Sequence, residues 1–243
     1  MNPAWIEPDW PAPPGVRAYS TLRTGGLSQD VYAGFNIGIH VGDKPSCVIA
    51  NRRLLREHLA LPAEPFWLNQ VHGNTVAQAK DANGPPPEAD AAFSEEAGVI
   101  CVAITADCLP VLLCDRGGQC VAAAHAGWRG LVGGVLEATV QAMGGGDLLA
   151  WLGPAIGPRS FEVGPPVRQA FLESLGDCEN AFRQIDDNHW LADLYALARL
   201  ALARAGVTEV YGGGHCTYAD PQRFFSYRRD GQTGRMATLI WRE

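Results

Sequence analysis

The stretch VAAAHAGWRG, residues 121–130, joins an apolar segment to a sharp glycine-rich turn. Val121–Ala124 predict a buried strand, because short apolar runs bounded by turn residues are typical of sheet interiors. His125 follows that run, and Gly127 and Gly130 come directly after it. His125 is therefore either a packed residue at a strand end or an imidazole that the strand holds in place for chemistry. Both interpretations are open at this point.

The segments on either side alternate between strand and helix patterns. Strands are predicted at 15–26, 65–79 (a pair with a turn at Gly73–Asn74), 98–114, 119–125, 148–157, 207–218 and 235–242. Helices are predicted at 45–60, 130–143, 165–176 and 190–206. This mixture indicates an α/β or α+β protein in which helices cover sheet faces. The Pro-rich segment 81–90 is too short to separate two domains.

Composition excludes several classes of function. A formal charge of −7 argues against a general nucleic-acid or membrane-surface binder, although a local basic pocket for one small anion is compatible with it. The N-terminal segment has neither the basic nor the apolar region of a signal peptide, and no apolar run reaches the roughly 18–20 residues of a membrane span. The seven cysteines form no CxxC pair. We therefore expect reduced thiols and a cytoplasmic location.

Three residues lie where an apolar segment meets a turn: His72 in LNQVHGNTV, Cys108 in ITADCLPVLLCD, and His125. Only the tertiary fold can bring them together. Two histidines and a thiolate would supply three ligands to zinc and leave a fourth position open. Alternatively, Cys108 is a nucleophile whose thiol His125 deprotonates. Simple packing of a cysteine and two strand-end histidines is the third interpretation.

Neighbouring residues suggest how such a site would be completed. Asp107 either orients a ligating histidine or forms a turn. Gly127 and Gly130 allow close backbone approach, and a helix from about Gly130 would direct free N–H groups toward an anion. Arg129 lies at that helix start, as part of an anion pocket or as an exposed arginine on a structural turn.

A second cluster of candidate residues lies in GGGHCTYADPQRFFSYRRDGQTGR, residues 212–235. It combines glycines, aromatic rings and four arginines. Aromatic faces beside arginines suit a planar ring that carries polar or anionic groups. The alternative is a mobile loop followed by an edge strand.

Seven segments together resemble a known family. In order they are TLRTGGLS, FNIGIHVGD, NQVHGNTV, TADCLPVLL, AAAHAGWRG, GPAIGPRSFEVG and FFSYRRDGQTGRMA, between about residues 16 and 241. They resemble the YfiH-like family, also called the laccase-domain or polyphenol-oxidoreductase family. The resemblance implies an α+β fold, a single domain over 1–243 built as a four-layer α-β-β-α sandwich, similar to the catalytic domain of cytotoxic necrotizing factor. It also implies a metal site, normally zinc, at His72, Cys108 and His125, which are then the catalytic residues.

The activities that the resemblance implies disagree with one another. They are phosphorolysis of adenosine, inosine, guanosine and S-methyl-5'-thioadenosine, adenosine deamination, copper-dependent phenol oxidation, and editing of peptidoglycan precursors. We adopt a zinc-dependent purine nucleoside phosphorylase with adenosine deaminase activity, a transferase and hydrolase whose partners are a nucleoside and phosphate. The residues expected to bind phosphate or stack on the base are Arg129, Phe225, Tyr227, Arg228 and Arg229. The sequence does not determine the oligomeric state, and a monomer is compatible with it.

Two alternatives have different residue requirements. A laccase needs more histidines, arranged as HxH pairs, than the six of this chain, although Cu²⁺ would bind tightly at a zinc site. A cysteine-type hydrolase that edits cytoplasmic peptidoglycan precursors would use Cys108 as the nucleophile and His125 or His72 as the base. Backbone N–H groups near Gly127 would be its oxyanion donors. Metal dependence distinguishes the hydrolase from the zinc enzyme.

Overall fold

The computed structural model describes residues 4–81 and 84–243, so residues 82 and 83 of the Pro-rich segment lie outside it. Its strands are β1 (Trp5–Ile6), β2 (Val16–Thr21), β3 (Val76–Gln78), β4 (Ala91–Ser94), β5 (Cys101–Thr105), β6 (Leu109–Asp115), β7 (Val121–Ala126), β8 (Leu148–Leu152), β9 (Glu162–Val163), β10 (Phe182–Gln184), β11 (Trp190–Ala192), β12 (Glu209–Gly212) and β13 (Met236–Arg242). Its helices are α1 (Pro45–His58), α2 (Trp128–Val132), α3 (Val135–Ala142), α4 (Pro165–Leu175), α5 (Leu194–Arg204) and α6 (Tyr227–Asp230). Within these ranges no helix is both long and apolar enough to cross a bilayer.

The strands form three sheets. The largest has six strands in the order β12-β8-β6-β7-β4-β3, with parallel pairing at its two edges and antiparallel pairing between. A four-stranded antiparallel sheet has the order β1-β2-β13-β5, and a small sheet has the order β10-β11-β9. Mostly antiparallel sheets combined with helices make this a mixed α+β fold, which the resemblance implied and which was one of the two classes that the sequence pattern left open.

Strand β6 shows why the apolar run at 109–114 has no polar alternation. Leu109, Val111 and Leu113 pack into a core shared with helices α3 and α5. Leu112 and Cys114 point the other way, into a core shared with residues of the four-stranded sheet. A strand that is buried on both faces has apolar residues at consecutive positions, because neither face needs polar side chains.

Helix α1 covers part of the four-stranded sheet. It begins with Pro45 in its first turn, where a missing N–H costs nothing, and its buried residues are Val48, Asn51 and Leu55. Leu55 packs in a third core with residues of β5 and β13, among them Val102 and Leu239. The predicted helix at 45–60 is therefore confirmed.

Several predicted elements differ from the structure, and the strand predicted at 98–114 is two strands, β5 and β6, separated by the turn that carries Cys108. The predicted helix 130–143 is two helices, because Gly133 and Gly134 interrupt it and Gly134 adopts a left-handed φ of 83°. The segment 190–206 begins as strand β11, and its helix starts only after Asp193, whose carboxylate accepts N–H bonds from the first turn. In 65–79 only β3 is a strand, and the residues before it form a loop.

Candidate metal centre

The register of three neighbouring strands brings the candidate residues together. Strand β7 lies between β6 and β4, and His125 in β7 pairs with Pro110 of β6. Cys108 immediately precedes β6, so it lies beside His125 at the same edge of the sheet. On the other side Ala124 pairs with Ala91, which places Asp90, directly before β4, next to His125.

His72 reaches the same edge from the loop before β3. Its Nε2 lies 3.8 Å from the Sγ atom of Cys108, and its ring centroid lies 4.8 Å from that of His125. The ligand atoms of His72, Cys108 and His125 all lie within 4.8 Å of one another. The predicted convergence of these three residues is therefore a feature of the fold.

One separation within this cluster matches that of two ligands bound to a tetrahedral metal ion. At the usual zinc bond lengths an imidazole nitrogen and a thiolate sulfur bound to one ion are about 3.6 Å apart. The observed separation of 3.8 Å between His72 Nε2 and Cys108 Sγ agrees with that value. His72 is exposed, Cys108 is partly exposed and His125 is buried, so the site opens toward solvent on the His72 side.

Asp90 organises two of the three residues. It is fully buried, and its carboxylate accepts N–H bonds from Val71 (3.2 Å), His72 (2.9 Å) and Gly73 (2.6 Å). The same carboxylate lies 2.8 Å from Nδ1 of His125, and the backbone oxygen of Asp90 accepts the His125 N–H at 2.7 Å. A carboxylate on Nδ1 leaves Nε2 of His125 free to bind a metal.

The electrostatics of the site favour a charged thiolate. Burial acts to raise the pKa of the Cys108 thiol, but the charge of His125 and hydrogen bonds from His125 and His72 outweigh it and lower that pKa. Burial acts to lower the pKa of His125, but the charge of Cys108 and the hydrogen bond to Asp90 raise it. Without a metal, these opposite shifts of the two pKa values favour a thiolate on Cys108 and an imidazolium on His125.

Burial also acts to raise the pKa of the Asp90 carboxyl. Hydrogen bonds from His125 and from the backbone of Gly73 and His72 outweigh it, so that pKa lies below its ordinary value. Asp90 is thus an ionised carboxylate at neutral pH, which suits its role behind a metal-binding histidine.

The backbone around the ligands leaves room for little else. A Cβ atom added to Gly127 would lie 2.9 Å from Cδ2 of His72 and 3.0 Å from Sγ of Cys108. His72 and Asp107 both adopt a left-handed backbone, with φ of 63° and 89°, at a cost of about 1–2 kcal/mol each. Strain of this kind persists where the surroundings determine the conformation, commonly at functional sites.

Asp107 does not orient a histidine, in contrast to one interpretation of the sequence. Its carboxylate accepts a hydrogen bond from Oγ1 of Thr217 at 2.5 Å and from the backbone N–H of Arg228 at 2.7 Å. Asp107 therefore ties the Cys108 turn to the C-terminal segment, while Asp90 holds the histidine. A sequence signal for Asp90 did exist, since it is a carboxylate at the start of the apolar strand β4.

The residues predicted to bind base or phosphate differ in their exposure to solvent. Phe225 is fully buried, which excludes the predicted stacking of a ligand on its ring in this conformation. Tyr227 is 60% exposed. Arg129 is exposed, and its guanidinium lies over the Trp128 ring at the start of the short helix α2, which begins at Trp128 rather than near Gly130.

The adjacent arginines Arg228 and Arg229 are engaged within the protein. Arg228 is exposed, and its Nη1 donates to the carbonyl oxygen of Glu162. Arg229 donates to three carbonyl oxygens and pairs with the carboxylate of Asp230. Their predicted role in phosphate binding stays a prediction.

The other cysteines have a different environment. Cys101, Cys114 and Cys120 are buried, and burial raises the pKa of each thiol, as expected for cysteines that pack in the core. Cys216 accepts the N–H of Gly157 at 3.2 Å, away from the three-residue cluster. The pKa of the Cys108 thiol is lowered, in contrast to those of the three buried thiols.

Comparison with known proteins identifies the family to which this chain is similar. Residues 17–243 match a family model described as multi-copper polyphenol oxidoreductase laccase. The chain is similar to a Pseudomonas aeruginosa protein named purine nucleoside phosphorylase, with 53% identity over 99% of each chain. It is also similar to the Escherichia coli purine nucleoside phosphorylase YfiH, with 51% identity over 97% of this chain and 98% of that protein.

Solved structures show the same fold. A Neisseria meningitidis protein superimposes with a TM-score of 0.95 at 50% identity over the whole of both chains. YlmD from Geobacillus stearothermophilus superimposes with a TM-score of 0.94 at 32% identity, over 98% of this chain and 96% of that one. The chain therefore belongs to the YfiH-like family, which the matching family model describes as a multi-copper polyphenol oxidoreductase laccase.

Proposed function

We propose that the chain is a zinc-dependent purine nucleoside phosphorylase with adenosine deaminase activity. The observation that carries the proposal is the convergence of the ligand atoms of His72, Cys108 and His125 at a solvent-facing edge, with Asp90 behind two of them. The curated relatives at about 50% identity are named purine nucleoside phosphorylases, which supports this class of reaction.

The donor set fits zinc. Two imidazole nitrogens and one thiolate are typical ligands of zinc, whereas magnesium and calcium prefer oxygen. Bound zinc supplies a Lewis acid with an open coordination position. Copper binds the same ligand types, so a copper-loaded form is compatible with the site, but a single three-ligand cluster supports a laccase poorly.

The protein's own groups prepare the site for this metal. Asp90 keeps Nδ1 of His125 protonated, so Nε2, directed away from the carboxylate, is the nitrogen that would give up its proton and offer a lone pair to a metal. The positive charge of His125 keeps Cys108 ionised before a metal binds. Gly127 closes the inner side of the cluster, and the nucleoside and phosphate approach from the exposed His72 side. We keep Tyr227 as the residue that contacts the base, because its ring is exposed.

Turnover by purified, zinc-loaded protein tests the proposal. With phosphate present, adenosine, inosine, guanosine and S-methyl-5'-thioadenosine should each yield free base and the phosphorylated sugar, and adenosine should also yield inosine. Cys108→Ala should reduce all of these to background. Release of neither base nor sugar phosphate by the wild-type protein would reject a phosphorylase.

A cysteine-type hydrolase that edits peptidoglycan precursors is the second candidate, and the lowered pKa of Cys108 beside His125 favours it. Metal removal separates the two functions. A chelator should abolish a zinc mechanism and spare a thiol mechanism. Iodoacetamide should block the thiol mechanism in metal-free protein, and bound metal should protect Cys108 from it.

Several coarser properties belong to the same proposal. We propose that residues 1–243 act as one domain, that the two large sheets and their helices form a four-layer α-β-β-α sandwich similar to the catalytic domain of cytotoxic necrotizing factor, and that the protein works in the cytoplasm. A monomer is sufficient for the site, because all three ligands come from one chain.

A further inference from the structure

Arg235 lies at the same end of the fold as the metal ligands. Met236, the first residue of β13, pairs with Thr105, the last residue of β5. Arg235 is therefore next to the turn that carries Asp107 and Cys108, and the charges of both residues act on its guanidinium. The sequence placed this arginine in the C-terminal cluster of aromatic rings and arginines, but not among the residues expected to bind phosphate.

The backbone of Arg235 is held by the segment FNIG at 35–38. Its N–H donates to Oδ1 of Asn36 at 2.9 Å, and its carbonyl oxygen accepts the N–H of Ile37 at 3.1 Å. Asn36 is itself buried and donates to the carboxylate of Asp43 at 2.9 Å. These hydrogen bonds fix the backbone of Arg235, and therefore the point from which its side chain extends.

The side chain of Arg235 runs across Gly38. A Cβ atom on Gly38 would lie 2.7 Å from Cγ and 3.1 Å from Cβ of Arg235, so any larger residue would displace it. Gly38 has an ordinary extended backbone, with φ of −82°, so its small size rather than its flexibility is what Arg235 requires. The loop thus forms a cradle for one particular side chain.

Only one of the three nitrogens of the Arg235 guanidinium donates a hydrogen bond to the described residues. Its Nη1 donates to the carbonyl oxygens of Thr233 and Gly234, both at 3.0 Å. In residues 4–81 and 84–243 nothing accepts a hydrogen bond from its Nε or Nη2, and no carboxylate forms an ion pair with it. Burial acts to lower its pKa, so the charge is partly withdrawn from water. A half-buried cation without an anionic partner is costly to retain.

The other arginines of residues 212–235 either pair with a carboxylate or are exposed to solvent. Arg223 pairs with Asp220, and Arg229 pairs with Asp230. Arg228 donates to a backbone carbonyl from an exposed position. Arg235 alone in this group combines partial burial, a position beside Cys108 and an unmatched charge among the described residues.

We propose that Arg235 anchors the anionic co-substrate, inorganic phosphate, beside the His72–Cys108–His125 centre. This inference rests on the proposed function for the identity of the anion. A guanidinium presents two parallel donors that match two oxygens of a phosphate, which an ammonium group does not. The Tyr227 ring, whose centroid lies 5.8 Å from Cζ of Arg235, provides an exposed wall next to that position.

The experiment measures the affinity of zinc-loaded protein for phosphate in two ways. The first is the KM for phosphate and for inosine in phosphorolysis, and the second is phosphate binding by calorimetry without nucleoside. The variants are Arg235→Met, Arg235→Lys and Gly38→Ala, and the control is Arg53→Met, which removes an exposed arginine of α1. Zinc content is measured for every variant.

Arg235→Met should raise the KM for phosphate about 10- to 100-fold and weaken phosphate binding equally, with zinc content and the KM for inosine unchanged. Arg235→Lys should recover only part of the loss. Gly38→Ala should also weaken phosphate binding, because it moves the guanidinium without removing it. Arg53→Met should match the wild type.

The outcomes separate this inference from the proposed function. Phosphate affinity within twofold of wild type in both Arg235→Met and Gly38→Ala would overturn the anchor, whatever the turnover. So would a wild-type protein that does not bind phosphate. If the wild type binds phosphate through Arg235 but cleaves no nucleoside, the anchor stands and the phosphorylase proposal fails.

Discussion

The buried carboxylate of Asp90 holds two of the three ligand residues at once. It accepts the N–H groups of the His72 loop and fixes the ring of His125, while the His125 N–H binds its backbone oxygen. His72 lies in a loop rather than a strand, and strand β7 alone does not fix the ring of His125. The geometry of the metal site therefore depends on a residue that does not touch the metal position.

Asp90→Asn tests this dependence. The substitution keeps the size of the side chain but removes the charge and places an N–H₂ group among donors. We expect zinc affinity to fall about 10- to 100-fold, as for other residues that support a ligating histidine, measured by competition with a chromophoric chelator. The matched control is Asp186→Asn, because Asp186 pairs with His189 at the same 2.8 Å on the exposed surface. Equal zinc affinity in the two variants would contradict the role of Asp90.

The same residue predicts a pH dependence of stability. The pKa of Asp90 is lower in the folded protein than its ordinary value of about 3.9. As pH falls, the unfolded chain takes up this proton first, so the contribution of Asp90 is complete above about pH 4 and is lost as pH falls through the folded pKa. In metal-free Asp90→Asn, the free energy of unfolding should decline less steeply between about pH 5 and pH 2 than in wild type. An unchanged slope in urea titrations would argue against an ionised Asp90.

Sequence alone singled out the three residues of the candidate centre but not the residues that hold them in place. His72, Cys108 and His125 stand out because reactive residue types interrupt apolar segments. Asp90 precedes an apolar strand and Arg235 belongs to the C-terminal arginine cluster, but their positions beside the ligands depend on which strands are neighbours. The pairings of β4 with β7 and of β13 with β5 join residues far apart in the chain, and no local pattern encodes that register.

At the scale of elements, the junction between β7 and α2 is the tightest part of the centre. The strand supplies His125, and Gly127 then turns the chain past the side chains of His72 and Cys108. The sequence correctly indicated a buried strand followed by a sharp turn here. From the sequence, the glycines were expected to let the backbone approach a bound anion. In the structure, the backbone at Gly127 instead approaches the side chains of His72 and Cys108.

Gly127→Ala should disrupt metal binding while leaving the sheet intact. The added methyl group would lie 2.9 Å from Cδ2 of His72 and 3.0 Å from Sγ of Cys108, so the ligands must separate. We expect zinc content after dialysis to fall by at least tenfold, roughly the effect of 1.4 kcal/mol on binding, with an unchanged far-UV circular dichroism spectrum. Gly214→Ala is the control, because a Cβ atom there has no neighbour within 4 Å. A Gly127→Ala protein that retains full zinc would show that the ligands can adjust.

Elements away from the site were predicted unevenly for local reasons. Helix α1 and strand β7 follow periodic apolar patterns and were found where expected. The helix predicted at 130–143 failed because Gly134 adopts a left-handed conformation that ends one helix before the next. The loop before β3 carries strand-like residues, but the bonds from its N–H groups to Asp90 replace part of a strand ladder.

On the scale of the whole molecule, the centre joins three separate parts of the chain. His72 comes from a loop at the edge of the six-stranded sheet, His125 comes from its middle, and Cys108 comes from the turn that leads from the four-stranded sheet into the six-stranded one. An unfolded chain holds these residues far apart, so a metal bound by all three binds the folded state almost exclusively. Metal binding should therefore stabilise the entire fold.

Thermal unfolding with and without zinc measures this coupling. At free zinc 100-fold above its dissociation constant, the stabilisation is about 2.7 kcal/mol, which for a protein of this size raises Tm by roughly 5–11 °C. Cys108→Ala should lose most of that shift, because it removes one of the three ligands. Cys216→Ala removes another partly exposed thiol outside the centre and should retain the full shift. A full shift in Cys108→Ala would mean that zinc stabilises the fold from a different site, and the three-ligand centre would then not be the one that the metal occupies.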